Sequence, residues 1–77
     1  MSENKKTLGQ FLLDEREKRG MTQEKMAESL EMSRPDYCLV EKDKRPVGFD
    51  VQNRIANLFN RSPAYIRRLI KNSKERQ

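Results

Sequence analysis

The stretch Arg16-Glu17-Lys18-Arg19-Gly20-Met21-Thr22-Gln23-Glu24-Lys25-Met26-Ala27-Glu28-Ser29-Leu30-Glu31-Met32-Ser33 holds the stop, turn and cap signals of two consecutive short helices. Gly20 follows the basic pair Lys18-Arg19 and reads as a helix stop. Thr22 then reads as the N-cap of a second helix, Gln23 to about Leu30, with Glu24 in the first turn where the helix dipole favours an acid. Met26, Ala27 and Leu30 form its buried face, and Met21 and Met26 are spaced as a hydrophobic staple. Ser33 caps a third helix over Arg34 to about Lys42, with Pro35 harmless in its first turn and Asp36 three residues after the cap. At 100° per residue Ser33, Tyr37 and Val40 share one face, and Pro35, Cys38, Leu39 and Lys42 share the opposite one. Two short helices joined by Glu31-Met32 give the geometry of a helix-turn-helix, whose second helix can lie in a DNA major groove.

On the N-terminal side of this stretch, Thr7 and Gln10 have capping-box spacing ahead of a first helix from about Leu8 to Arg19. Leu8, Phe11, Leu12, Glu15 and Arg16 lie on one stripe of it. Asp43 to Phe49, with Pro46 and Gly48, reads as a loop. A fourth helix is expected from after Asp50 to near Phe59, with Val51, Ile55, Leu58 and Phe59 inward. Ser62-Pro63 reads as a cap and first position of a fifth helix carrying Tyr65, Ile66, Leu69 and Ile70. No run alternates with the period of a half-buried strand. The expected architecture is all-α with five helices: a frayed segment 1–6, one domain over 7–70 and a polar, flexible tail 71–77.

Composition narrows the function. The chain has 77 residues, 34% hydrophobic and 38% charged, which suits one small domain with a lean core. There is no histidine, and Cys38 is the single cysteine. A zinc site, an internal disulfide and a histidine-activated nucleophile are therefore out. No glycine-rich phosphate loop is present. The chain reads as a non-enzymatic protein without cofactor or metal, with no secretory signal and no membrane span, and so as cytoplasmic. Seventeen Lys and Arg against twelve Asp and Glu give +5. Residues 1–31 carry six basic and seven acidic side chains, residues 32–77 eleven and five. A basic half points to a polyanion, although a solvated surface accounts for so modest a total. No aromatic stacking platform is visible, which argues against RNA.

Gly20-Met21-Thr22-Gln23, Met26-Ala27, Leu30, Ser33 and Glu41, continued by Lys44-Arg45-Pro46, Ile55-Ala56 and Ser62-Pro63, resemble the phage-repressor/Cro (Xre-type) helix-turn-helix family. The resemblance covers about residues 8–70 and implies a lambda-repressor-like fold. It implies that Gln23 hydrogen-bonds a DNA phosphate, with Thr22 as cap and secondary contact. It implies an ion pair between Arg16 and Glu41, and backbone contacts from Lys42, Lys44 and Arg45. Tyr37 is expected in the core, its hydroxyl emerging at the edge toward a phosphate. Base reading falls to Arg34, Pro35, Cys38 and Leu39, with Arg34 the best candidate for a bidentate guanine contact.

Two departures from the family pattern stand out. Pro35, Cys38 and Leu39 offer almost no hydrogen bonds on the reading face. They suit thymine methyl groups or a protein partner, unless a small frame shift partly buries Leu39. Asp43 stands where the family usually has the glycine that ends helix 3. Family members often dimerise through the fifth helix, which implies an interface at Pro63, Tyr65, Ile66, Leu69 and Ile70; the alternative is that these residues complete the core. The function expected is a bacterial or phage-encoded transcriptional regulator, a repressor in kind by resemblance to Cro, binding a pseudo-palindromic operator in double-stranded DNA as a homodimer and without a small-molecule effector domain. The alternative is a protein-binding module, an antirepressor or regulator inhibitor, acting through helix 3.

Overall fold

A computed structural model describes residues 6–76 of the chain, with side chains to residue 74. Five helices follow one another: α1 (Leu8–Lys18), α2 (Gln23–Ser29), α3 (Arg34–Glu41), α4 (Phe49–Leu58) and α5 (Pro63–Arg76). No strand occurs among the described residues. The four starts legible in the sequence are made by side chains. Thr7 and Gln10 form a reciprocal capping box, Thr22 accepts from the Lys25 N–H, Ser33 accepts from the Asp36 N–H, and Ser62 accepts from the Tyr65 N–H ahead of Pro63.

Four helices end in the same way. After α1, α2, α3 and α4 a residue with positive φ reverses the chain: Gly20, Glu31, Asp43 and Asn60. The next N–H reaches back into the last turn of its helix, as in Met21 to Arg16, Met32 to Ala27, Lys44 to Leu39 and Arg61 to Ala56, all at 2.8–3.0 Å. These are Schellman closures, and three of the four are built without glycine. The left-handed conformation costs an L-residue about 1–2 kcal/mol, so packing elsewhere must hold those three turns in place.

The core is built where the faces meet. α3 packs on α1 and α2, and α5 on α1 and α4. Leu12, Met26, Leu30, Tyr37, Ile55 and Ile66 are completely buried. Phe11 of α1 meets Phe59 and Tyr65 edge-on, at centroid distances of 5.5 and 5.8 Å. Arg19 caps the Phe59 ring, and Arg61 stands over both Phe11 and Tyr65. Glu15 is buried on the inner stripe of α1 and pairs with Lys18 and Arg19. Among the described residues no buried side-chain nitrogen or oxygen lacks a partner.

Several expectations need correction. α4 begins at Phe49, one residue ahead of Asp50, because the extended backbone of Gly48 occupies the cap position. Asp50 instead lies in the first turn beside Arg54. Leu58, expected inward, is 40% exposed. Ile55, Ala56 and Phe59 fill the inner stripe, and Leu58 falls off its edge. The expected tail is helical through residue 76. It is held by Asn72, which donates to the Lys6 carbonyl, and by Ser73, which accepts from the Leu8 N–H. Of the segment 1–6, residues 1–5 lie outside the described residues; Lys6 pairs with Asp14 at 3.0 Å.

Candidate nucleic-acid interface

The position of α3 is set by one carboxylate. Glu41 accepts from Arg16 Nε at 2.7 Å, from Arg16 Nη2 at 3.3 Å, from the Tyr37 hydroxyl at 2.5 Å and from Gln23 Nε2 at 3.0 Å. Arg16 also donates to the Met21 carbonyl. Residues of α1, α2 and α3 thus converge on one group, and Arg16 ties the turn at Met21 to it. Burial by itself raises the Glu41 pKa, but the hydrogen bonds from Arg16, Tyr37 and Gln23 outweigh it and hold the carboxylate below its usual value. The bond to Glu41 likewise raises Arg16. Burial first, then the bond to Glu41, pushes the Tyr37 phenol well above its ordinary range.

The pair expected between Arg16 and Glu41 is therefore formed, and it has two further members. Tyr37 is fully buried, so its hydroxyl is directed at Glu41 and is closed to a phosphate. The sequence expectation is corrected there: a phenol four residues before a buried glutamate finds its partner within the helix. Gln23 is half-buried, and both ends of its amide are in use. Nε2 meets Glu41, and Oε1 accepts from the Cys38 thiol at 3.2 Å. One amide N–H of Gln23 remains for an outside acceptor.

With its inner face locked, α3 presents a definite outer face. Arg34 and Pro35 are exposed, Leu39 is 40% exposed and Cys38 is half-buried. Tyr37 and Val40 face inward, so the helix has the register read from the sequence and no frame shift. Arg34 lines an open cleft together with Arg16, Thr22, Gln23 and the acidic Glu24. Lys42, Lys44 and Arg45 are exposed at the end of α3 and in the following loop. Arg45 is tied back toward Asp36 at 3.6 Å.

Asp43 carries a role the sequence did not reveal. Its carboxylate accepts from the Thr7 hydroxyl at 2.7 Å, from the Gly9 N–H at 2.9 Å and from the Ser73 hydroxyl at 2.9 Å. It therefore supplements the cap of α1 and joins that helix start to the end of α3 and to α5. Gly9 permits the approach: a Cβ there would fall on the Glu41 carbonyl oxygen and within 2.8 Å of Asp43 Oδ1. The available signals were a glycine inside a helix and an aspartate in a left-handed position, both of which are locally unfavourable.

The expected dimer surface is only partly available. Ile66 and Leu69 are buried within the single chain, at 0% and 3% exposure, because the inner stripe of α5 packs on α1 and α4. Pro63 is exposed, and Tyr65 and Ile70 are half-buried.

Two short helices crossing through a tight turn, the second anchored on its inner face and bare on its outer one, are the elements of DNA-reading domains of this architecture. Among the described residues no helix is long and apolar enough to cross a membrane. No curated protein and no solved structure matches the chain. One family does: the helix-turn-helix domain matches residues 7–69, from the cap of α1 to the inner stripe of α5. The match spans the described core, and the chain belongs to the helix-turn-helix domain family.

Proposed function

We propose that the chain is a sequence-specific transcriptional regulator of the phage-repressor/Cro (Xre) type. It acts as a repressor and engages a pseudo-palindromic operator as a homodimer, with α3 in the major groove. The observation that carries this reading is the division of α3. Its inner face is fixed through Tyr37, Val40 and Glu41, while Arg34, Pro35 and Leu39 are exposed on the outside. Arg34 reads a guanine edge, and Pro35, Cys38 and Leu39 pack against thymine methyl groups. Thr22, Gln23, Lys42, Lys44 and Arg45 meet the phosphate backbone around that helix. Pro63 and Tyr65, together with the exposed Leu58, supply the contact between protomers.

Selection from randomised duplex DNA at about 150 mM salt tests this directly. The expected result is a two-fold motif with half-sites about 34 Å apart. Arg34→Ala should then cost about 1–3 kcal/mol of operator affinity and relax one position of the motif. Undiminished affinity in that variant would remove Arg34 from base reading. The second reading, a protein-binding module, draws on the apolar content of the same α3 face. Selection without enrichment, and only weak salt-sensitive DNA binding, would favour it.

A further inference from the structure

Phe49 is the most exposed large apolar side chain described, at 73%. It stands at the first position of α4 and lines an open groove with Gln52, Arg67, Ile70, Lys71 and Lys74. Phe49 and Ile70 give the groove an apolar floor. Arg67, Lys71 and Lys74 follow one edge of α5 at steps of four and three, spanning about 10 Å of helix. Among the described residues none of the three cations has a carboxylate within ion-pair distance, whereas Arg16, Arg19, Arg45 and Arg54 all do.

We propose that this groove docks an acidic amphipathic segment of a partner protein. An apolar anchor seats on Phe49 and Ile70, and carboxylates about two helical turns apart meet Arg67, Lys71 and Lys74. Charge selects this occupant. A second copy seated groove to groove across a two-fold axis would set the three cations against the same three cations. A phosphate backbone would satisfy the cations but bring nothing apolar to cover Phe49. The groove is formed by α4 and α5, whereas the reading face belongs to α3, so the inference stands independently of DNA recognition.

The test is display of random twelve-residue peptides on the full chain, followed by anisotropy titration of a synthetic peptide carrying the enriched pattern. Enrichment of an aromatic or aliphatic residue flanked by Asp and Glu is expected. Affinity should fall at least tenfold in Phe49→Ala and in Lys71→Glu, with thermal unfolding of both variants close to that of the parent because both sites are exposed. Absence of a consensus, or a consensus without acids, overturns the proposal. So does peptide binding that neither variant weakens. Three further results overturn it by assigning the groove elsewhere: loss of duplex affinity in Phe49→Ala, a dimer of the chain that Phe49→Ala dissociates, or binding to phosphatidylglycerol vesicles in preference to the peptide.

Discussion

Glu41 joins three helices because its oxygens receive Arg16, Tyr37 and Gln23 at once. Its side chain is 7% exposed and that of Arg16 17%. Removing one member of so enclosed a pair strands the other, at a cost of about 3–5 kcal/mol. Glu41→Ala should therefore lose stability near the lower end of that range, measured by urea unfolding, since Arg16 retains some solvent. The pH dependence has a definite sign. The folded carboxylate titrates below the ordinary value of 4.5, so its contribution is complete above that value and is lost as pH falls through the lowered one. Glu41→Gln should flatten the acid limb of the stability curve; an unchanged acid limb would exclude Glu41 as its source. The pairing of Arg16 with Glu41 was expected from resemblance. The inclusion of Tyr37 and Gln23 was not, because periodicity places a residue on a face without specifying which polar atom it meets.

At the scale of elements, the left-handed residues at the helix ends separate local strain from tertiary purpose. Glu31 and Asp43 have nearly the same φ, 57° and 61°. Glu31 offers only an exposed pairing with Arg54 at 3.4 Å. Glu31→Gly relieves about 1–2 kcal/mol of strain and restores about 0.4–1 kcal/mol of unfolded-chain freedom. A net stabilisation of up to about 1 kcal/mol is expected from thermal unfolding. Asp43→Gly relieves the same strain but removes the carboxylate that holds Thr7, Gly9 and Ser73. The loss of a supplementary cap and its hydrogen bonds exceeds that relief, so this variant should be less stable than the parent by about 1 kcal/mol or more. Equal shifts in the two variants would show that the Asp43 clamp contributes nothing. Helix starts were legible because Thr7, Thr22, Ser33 and Ser62 act on N–H groups three residues away. The early start of α4 was not, because Gly48 caps without a side-chain bond.

For the whole molecule, the proposed DNA reading rests on how many cations reach the backbone. Each phosphate contact contributes about 0.9 to the slope of log affinity against log salt concentration. Lys44→Ala should weaken all duplexes alike and reduce that slope by about 1, whereas Arg34→Ala should act on sequence preference. A Lys44 variant with an unchanged slope would place that side chain away from the phosphates. The burial of Ile66 and Leu69 bears on assembly as well. The apolar surface left at Leu58, Pro63 and Tyr65 is small beside the roughly 1,000 Å² of a stable interface. Sedimentation should find a monomer at micromolar concentration without DNA, and two protomers on one operator. A stable dimer without DNA would call for a larger contact than these residues supply.

Linear reading alone was enough for the helix order, four of the caps, the stripes of α1, α2, α3 and α5, and the outward register of α3. All of these follow from interactions within about four residues, which a linear reading can count. Tertiary structure alone decided the rest. The Asp43 carboxylate reaches Gly9 across 34 positions and Ser73 across 30. The amide of Gln23 is shared between Glu41 and Cys38, and Leu58 is left at the edge of a stripe that Ala56 completes. Such outcomes depend on which helix faces which, and at what distance. Side-chain partners across a core are selected by close packing and by the requirement that every buried polar group be satisfied, neither of which is a property of any one segment.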